Sequence, residues 1–444
     1  MRSRKPWLIA ALITLTINLA VTNGSYHWLG FMLMLGTFVC VLGAYFCWKW
    51  PAVLGESKLY LAVLITNIVL LCTMKIGQFA KTISISEFQL YLIGIGLISF
   101  LTGYAFVALG RFWRVFPFIL VVFTSICFWN IKTTPTPPID VYVIQTLGAH
   151  YLVNSSNPYT GTYPNIYGVD ANGDSPNYGK GEVNGNVLLF GYIYPPANLL
   201  LSIPGYLAGD VRYSQWLIIL VGLIALAQLT THSVSKMAAL ILVTMPAMIQ
   251  NFILSYSDLV LVGLICISVY AMQHYPRISF IPVALTLVFK QYCIFLFPLF
   301  IALYLFPPSE PRKRPFKIWP TIILMTVINV PFVLPDIEGF IYSTLTHHFA
   351  CPFRPDSLTL TALMYRLGIV LPMNALSFLG PACAFLIYWV KKDKTWSGMF
   401  VLTTIGFLLF FFLSKQAFGN YYFFCAGLIA VALSLTGRED ENHA

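Results

Sequence analysis

Residues 136–159 read TPPIDVYVIQTLGAHYLVNSSNPY, and they open the longest polar interval of the chain. This interval continues to Pro196, with five apolar segments before it and the remaining apolar segments after it. A carboxylate, Asp140, stands near its start, just past the end of an apolar segment. A long polar interval between apolar segments of spanning length is typical of a loop outside a membrane. The sequence therefore predicts one large loop over residues 132–196.

The composition supports a membrane protein. The chain has 444 residues, of which 58% are hydrophobic and only 9% are charged. Soluble domains carry about 25% charged residues, so this chain is predicted to cross a membrane several times. Its net charge of +10 fits cytoplasmic Lys and Arg and anionic lipid headgroups better than a nucleic-acid partner. All of its nine cysteines except Cys351 lie in apolar runs, so neither a disulfide framework nor a Cys/His metal spacing is visible.

The first 131 residues are predicted to form a five-span membrane segment. Each apolar run in this segment is near the roughly 20 residues that a helix needs to cross the hydrocarbon layer. The runs lie near 7–22, 27–48, 59–74, 88–109 and 115–131.

Basic residues fix the predicted orientation through the positive-inside rule. The N-terminal Arg2, Arg4 and Lys5 place the N-terminus in the cytoplasm, with Lys58 on the same side. Lys75 and Lys81 fall on the outer side and count against this arrangement. Five crossings put the loop over 132–196 on the outer face.

The C-terminal half gives a second reference point, because the basic cluster at 312–314 should also be cytoplasmic. Lys391, Lys392 and Lys394 then fall inside as well. Counting from these clusters, we predict a C-terminal transmembrane bundle over 197–437, outer loops at 336–368 and 414–418, and a cytoplasmic tail at 438–444.

Two arrangements remain open for the middle of the chain. In one, 195–209 is a span and 278–306 is a single long span. In the other, 195–209 is a short re-entrant or interfacial piece, and 278–306 forms two short helices that meet near Lys290. We prefer the second, because it places the basic residues Lys236 and Arg277 inside.

The large loop has a predicted structure of its own. Apolar residues recur at helical spacing from Val141 to Leu152, which indicates an amphipathic helix on the membrane surface. The polar run at 154–158 should end this helix. The segment 160–186 is rich in Gly, Asn, Asp and Tyr, and it is predicted to be a loop with little core of its own.

The order of several short motifs resembles the GT-C superfamily of glycosyltransferases. Within that superfamily the chain is most similar to glycosyltransferase family 87, which includes polyprenyl-phosphate-mannose-dependent mannosyltransferases. In such enzymes the first outer loop carries an acid that matches Asp140, although the family usually has fewer spans before it. The similarity runs from about Pro138 to Tyr422. The motifs are Asp140, then Asn157-Pro158-Tyr159, Tyr194-Pro195-Pro196, Ser257-Asp258-Leu259 and Phe289-Lys290-Gln291.

This resemblance implies an all-α polytopic membrane protein, built as a GT-C-like transmembrane bundle with amphipathic surface helices in the first large outer loop. It implies an inverting transfer of a hexose, such as mannose, from a polyprenyl-phosphate sugar to a glycan or glycolipid acceptor. The reaction would take place on the outer face of a plasma membrane, the inner membrane in bacteria. No nucleotide sugar, cofactor or metal is implied.

The chemistry of such a transfer needs a base for the acceptor hydroxyl and cations for the departing phosphate. Asp140 is the candidate base, although an Asp at this position could simply cap the surface helix. Lys290, Arg354 and Lys415 are the candidate phosphate ligands. Lys415 could equally meet lipid headgroups.

Further candidates complete the predicted substrate-binding set. His347 and His348 can hydrogen-bond a sugar or phosphate, although only one of two adjacent histidines can face the site. Asp258, between apolar runs, is either functional or a helix-end residue. An ion pair between Asp258 and Lys290 is the structural alternative. Tyr159 and Tyr194 are included because they lie in the motifs.

Two other functions compete with this interpretation. A lipid-linked sugar flippase or a secondary transporter would use Asp258 and Lys290 as intramembrane charges. It would give no reason for a long outer loop that opens with an acid and a surface helix. A non-catalytic assembly subunit would leave Asp140, Lys290 and Arg354 unexplained together.

Overall fold

The computed structural model describes residues 3–51, 55–73, 85–170, 173, 175–306, 315–369, 372–390 and 395–441. Several basic residues that were used for the predicted orientation lie outside these described residues: Arg2, Lys75, Lys81, the cluster at 312–314, Lys391, Lys392 and Lys394.

Five long helices precede the polar loop, as the hydropathy of the sequence predicts. They have 18 to 23 residues each. At about 1.5 Å per residue they measure roughly 27 to 35 Å, which matches the thickness of a hydrocarbon layer. The helices are α1 (Lys5–Thr22), α2 (Trp28–Tyr45), α3 (Glu56–Thr73), α4 (Ile85–Val107) and α5 (Phe112–Thr133).

The polar loop begins with a helix where one was predicted, and the second half of the chain is also helical. The remaining helices are α6 (Asp140–Val153), α7 (Pro196–Leu207), α8 (Arg212–Ala227), α9 (Ser233–Thr244), α10 (Pro246–Ile253), α11 (Ser257–His274), α12 (Phe280–Leu287), α13 (Phe297–Leu305), α14 (Ile318–Val333), α15 (Ile337–Ile341), α16 (His347–Ala350), α17 (Leu360–Arg366), α18 (Met373–Ser377), α19 (Leu379–Val390), α20 (Trp396–Phe412) and α21 (Gly419–Glu441).

Among the described residues, seven helices are long and apolar enough to cross a membrane. The number rises to ten if each of three bent helix pairs counts as one span. The chain is therefore an all-α multi-pass membrane protein. Within the bundle, α11 and the membrane-length part of α21 are the most enclosed of the seven helices, with 78% and 94% of their residues buried.

The middle of the chain fits the second of the two predicted arrangements. Helix α7 has 12 residues, or about 18 Å, which is too short to cross a bilayer of roughly 30 Å. It meets α8 at an angle of 110°. The segment 278–306 is broken into α12, a 3₁₀ turn over Gln291–Leu296 and α13, and Lys290 lies at the break.

The segment 160–186 is more ordered than predicted. It was expected to have little core of its own, but it contributes buried residues to a hydrophobic cluster. Strands β1 (Tyr163–Pro164), β2 (Val183–Asn184) and β3 (Val187–Leu188) form a small antiparallel sheet with β3 in the middle. Tyr163 and Tyr178 are buried in one hydrophobic cluster with residues of α6 and α7. Burial of these aromatic rings gives the segment a fixed structure that its polar composition conceals.

The predicted loop over 336–368 is also more structured than expected. It contains α15, a π-helical turn over Tyr342–Thr346, α16 and α17. Two capping residues start these helices: Asp336 accepts the Gly339 N–H at 3.0 Å, and Thr359 accepts the Ala362 N–H at 3.1 Å. Such caps stabilise a helix by about 1 kcal/mol, and these two are visible in the sequence.

Close helix packing positions α11, the helix that carries Asp258. A Cβ atom on Gly222 of α8 would lie 2.6 Å from the Cα of Gly263 in α11. The two helices can approach this closely only because both residues are glycine, as is common between helices in membranes.

Candidate active site

A cavity of about 510 Å³ lies at the end of the bundle where α6 begins. Its lining combines a polar part that is rich in tyrosine with an apolar part. The polar lining includes Asp140, Tyr167, Tyr178, Tyr194, Tyr256, Lys290, His347, His348, Arg354, Lys415 and Tyr421. The apolar lining includes Ile294, Phe295, Leu345, Phe349, Phe378, Phe410 and Phe411.

Asp140 is the first residue of α6 and lies half-buried at the cavity wall. Its carboxylate accepts three hydrogen bonds: from the Val141 N–H at 2.8 Å, from the Tyr167 hydroxyl at 3.2 Å and from the Tyr178 hydroxyl at 3.2 Å. Ile139, and not Asp140, occupies the N-cap position. The carboxylate therefore supports the helix start through Val141 and also faces the cavity.

Burial raises the pKa of Asp140, because the charged carboxylate loses contact with water. The hydrogen bonds from Val141, Tyr178 and Tyr167, and the nearby charge of His347, oppose this rise, and the net shift is upward. A carboxyl group with a raised pKa is a better proton acceptor at neutral pH than an ordinary one.

Asp258 and Lys290 form a buried ion pair, the contact that the sequence offered as an alternative for these residues. The Lys290 Nζ lies 2.7 Å from the Asp258 Oδ2, and the Asn420 side chain donates to the same oxygen at 2.7 Å. The Tyr292 hydroxyl donates to the other carboxylate oxygen. Asp258 is fully buried and does not line the cavity, whereas Lys290 does.

Aromatic rings surround the Lys290 ammonium group. It lies 5.7 Å from the centroid of Tyr194, 5.2 Å from that of Tyr292 and 5.1 Å from that of Tyr421. Cation–π contacts at these distances stabilise a desolvated ammonium. Together with Asp258 they explain how a lysine can be 6% exposed at a break between two apolar helices.

Arg354 lines the cavity but is already paired. Its guanidinium donates to both carboxylate oxygens of Asp356, at 2.9 Å and 2.7 Å, and to the Asn177 side chain at 2.7 Å. It also lies 5.0 Å from the ring centroid of Phe418. The hydrogen bond with Asp356 raises the pKa of Arg354, so this side chain stays charged.

Lys415 differs from the other cations of the cavity. Its ammonium donates to the carbonyl oxygens of Phe349, at 2.9 Å, and of Cys351. Among the residues that the structure describes, no carboxylate lies within ion-pair distance of it. Burial lowers the pKa of Lys415, although the shift is opposed by nearby negative groups.

His347 belongs to a buried chain of three polar groups. Its Nδ1 lies 3.0 Å from the Glu182 carboxylate, and its Nε2 lies 3.5 Å from the Cys351 sulfur. Burial opposes protonation of the imidazole. The hydrogen bonds with Cys351 and Glu182 outweigh it and raise the pKa of His347 to about 9. The ring also stacks on Phe190, with centroids 3.9 Å apart.

His348 has the opposite character. Its Nε2 lies 3.2 Å from the Ile193 carbonyl oxygen. Burial and the neighbouring charge of His347 lower the pKa of His348 to about 3, so it is neutral at physiological pH. Both histidines line the cavity, so the expectation that only one of these neighbours could face the site is wrong.

The structure separates the two tyrosines that the sequence motifs suggested. Tyr194 lines the cavity beside Lys290. Tyr159 does not belong to the lining: it is 1% exposed, donates a hydrogen bond to the Tyr194 carbonyl oxygen at 2.8 Å and packs against Phe332 and Phe340. Its role is therefore to support the wall that carries Tyr194.

Several residues that contribute to the site were not identified from the sequence. Tyr167 and Tyr178 reach Asp140 from the segment that was predicted to be a loop with little core of its own. Glu182 and Asn177 come from the same segment and contact His347 and Arg354. The signal in the sequence that could have identified one of them is Glu182 itself, an isolated acid among Gly, Asn and Tyr residues.

Charge pairing distinguishes Asp140 from the other acids that the structure describes near the cavity: Asp258, Asp356 and Glu182. Each of these three acids neutralises one basic residue. Within the described part of the chain, Asp140 is the only carboxylate that lines the cavity.

Comparison with protein-family models, with curated proteins and with solved structures found no match for this chain.

Proposed function

We propose that this protein is an inverting glycosyltransferase that moves a hexose from a polyprenyl-phosphate sugar to a glycan or glycolipid acceptor. The observation that carries the proposal is the position of Asp140. It is the one acid of the described cavity lining, and it faces a cavity that also holds Lys290, Arg354 and Lys415. A base and a set of cations within one cavity are what a transfer from a phosphate-linked sugar requires.

In the proposed step the acceptor hydroxyl attacks the anomeric carbon from the face opposite the phosphate. The new carbon–oxygen bond forms as the bond to the phosphate oxygen breaks, and the electron pair leaves with the phosphate. The hydroxyl proton passes to the Asp140 carboxylate. Attack from the opposite face inverts the configuration at the anomeric carbon.

Lys290, Arg354 and Lys415 do not contribute equally to binding the phosphate. Lys290 and Arg354 are each neutralised by a carboxylate, whereas Lys415 contacts only carbonyl oxygens within the described structure. A phosphate therefore gains the most from Lys415, whose positive charge is not balanced by an acid. Lys290 and Arg354 then act mainly as hydrogen-bond donors at its edge.

The apolar lining is consistent with a lipid-linked donor. Phenylalanine, leucine and isoleucine side chains form this part of the lining, and they come from the helical segment 337–350, the 3₁₀ turn, the residue after α18 and α20. Ile294 is 61% exposed and Phe349 is 48% exposed at this side of the cavity. A prenyl chain would bury apolar surface here, at about 25 cal/mol per Å².

The proposal is tested by assaying the purified protein in detergent with a radiolabelled polyprenyl-phosphate sugar and a membrane glycan extract as acceptor. We expect the label to appear in the acceptor. The rival function is a carrier, favoured by the buried Asp258–Lys290 pair. Movement of the donor across sealed vesicles, with no transfer in detergent, would replace the enzyme with the carrier.

A further inference from the structure

Glu182, His347 and Cys351 form a cluster that the proposed transfer does not use. One ligand atom from each of them lies within 4.8 Å of the other two. All three residues are buried, and none belongs to one of the seven single helices of membrane length, although His347 lies in the second half of the bent pair formed by 318–333 and 337–350. The carboxylate comes from the turn before β2, whereas the imidazole and the thiol come from α16 and the residue after it. The cluster therefore joins two loops that are 165 residues apart in the sequence.

We propose that Glu182, His347 and Cys351 bind a divalent metal ion of the zinc type. Carboxylate, imidazole and thiolate are the three side-chain ligands that zinc takes in proteins. His347 and Cys351 are four residues apart, the spacing of neighbouring turns of a helix, so both can reach one ion. With two anionic ligands, the charge of a divalent ion is balanced.

The separations between the ligand atoms are compatible with one shared ion after small movements. Three atoms no more than 4.8 Å apart have a common point within about 2.8 Å of each, and zinc bonds are about 2.0 to 2.3 Å long. An inward shift of about 0.5 to 0.8 Å per group therefore completes the bonds. One imidazole nitrogen binds the ion, and the proton on that nitrogen is released.

Neighbouring groups hold the proposed ligands in fixed positions. Glu182 is oriented by the Gly179 N–H at 2.6 Å and by the Tyr342 hydroxyl at 3.0 Å. Hydrogen bonds of this kind commonly hold a ligating carboxylate in place. Cys351 is a free thiol. A Cβ atom on Gly179 would lie 2.8 Å from the Glu182 carboxylate, so a larger residue would disturb the ligand.

A fourth ligand could come from the cavity, because His347 and Cys351 both line it. Water or an oxygen of a bound anion can complete a tetrahedral site there. The ion would also tie the loop that carries Glu182 to the segment 342–351. The inference does not depend on the proposed transferase function, since metal binding is measured without a sugar substrate.

The test measures metal directly on the full-length protein in detergent. After treatment with a chelator, wild-type protein and the variants Cys351→Ser, Glu182→Gln and Cys72→Ser are dialysed against zinc, and bound zinc is measured by mass spectrometry. Cys72 is a free, exposed cysteine outside the cluster and serves as the matched control. We expect stoichiometric zinc in wild type and Cys72→Ser, and at least a tenfold loss of affinity in Cys351→Ser and Glu182→Gln.

A second readout covers variants that fold poorly. Cobalt added to chelated wild-type protein should give the near-ultraviolet absorption of a thiolate–cobalt bond, and zinc should raise its thermal unfolding temperature. Either zinc binding that is the same in Cys351→Ser as in wild type, or a wild-type protein that gains neither the cobalt band nor thermal stability, would overturn the metal site.

Discussion

At Asp140, burial and hydrogen bonding shift the pKa of the carboxyl group in opposite directions. Burial raises its pKa, while the Tyr178 and Tyr167 hydroxyls, the Val141 N–H and the His347 charge lower it. A base must be unprotonated to work, so turnover should fall as the pH drops through the Asp140 pKa. Because that pKa is raised, the fall should begin at a higher pH than for an ordinary carboxyl group.

The loss of turnover at low pH is the acid limb of the pH–rate profile. Tyr178→Phe should move this acid limb to a still higher pH. The substitution removes a hydrogen bond that favours the carboxylate, and such a bond is worth about one pH unit. The measurement is the pH dependence of transfer rate. Tyr151→Phe is the control, because its hydroxyl donates to the Thr162 carbonyl and not to Asp140. An acid limb that stays in place, or moves to lower pH, would contradict the role given to Asp140.

Lys290 neutralises the buried Asp258, and this structural role must be separated from phosphate binding. Lys290→Ala leaves the fully buried Asp258 carboxylate without its cation, which costs about 3 to 5 kcal/mol of stability. Adding Asp258→Asn removes that buried charge and should restore most of the thermal stability. Donor use should stay weaker by about ten- to a hundredfold, the value of one charge-assisted hydrogen bond. Normal donor kinetics in the stable double variant would remove Lys290 from the phosphate site.

Among the elements, the turn between α1 and α2 holds the two loops that carry Arg354 and Lys415. The Asn23 and Gly24 carbonyls accept the N–H groups of Gly419 and Leu358, at 3.0 Å and 2.8 Å. Tyr26 donates its N–H to the Asp356 carbonyl at 2.7 Å. The first two helices therefore support the cavity, although none of their residues lines it.

Gly24→Ala should disturb both loops at once. Gly24 has a φ of +73°, and a Cβ atom there would lie 2.1 Å from the Gly419 nitrogen. Gly368→Ala is the matched control, because Gly368 has a φ of +79° with open space around it. We expect the control to lose only about 1 kcal/mol, and Gly24→Ala to lose clearly more and to use donor poorly. Equal thermal stability and donor kinetics for the two variants would refute this role of the turn.

The sequence predicted the elements with strong periodicity and missed those without it. Helix α6 was predicted over 140–152 and is observed over Asp140–Val153, because its apolar residues recur at helical spacing. The small sheet over 163–188 was missed, because each strand has only two residues and cannot show an alternating pattern. Glu182 was missed for the same reason, since its contact with His347 exists only once this segment folds.

For the whole molecule, hydropathy was sufficient to predict a multi-pass helical protein, because each span must satisfy its own backbone hydrogen bonds in lipid. It could not predict which distant groups pair. The contact of Lys415 with the Cys351 carbonyl, and that of Arg354 with Asn177, depend on packing between remote segments.

The orientation of the whole molecule is a separate prediction. A cysteine in place of Thr160, which is exposed, should react with a membrane-impermeant thiol reagent on intact cells. A cysteine in place of Lys58, also exposed, should react only after the cells are broken. The wild-type protein provides the background of the native cysteines. Labelling in the reverse order would put the cavity on the cytoplasmic side.

The measurement that tests the central claim most directly compares sugar transfer by wild type, Asp140→Asn and Asp140→Ala in detergent, with donor binding measured in parallel. Asn keeps the size of Asp but cannot accept a proton at neutral pH. If Asp140 is the base, Asp140→Asn should stay folded and bind donor, while its turnover falls by at least about a hundredfold. If the carboxylate only supports the start of α6, Asn should be tolerated and Asp140→Ala should lose about 1 kcal/mol of stability. Near-normal turnover by Asp140→Asn would contradict the account.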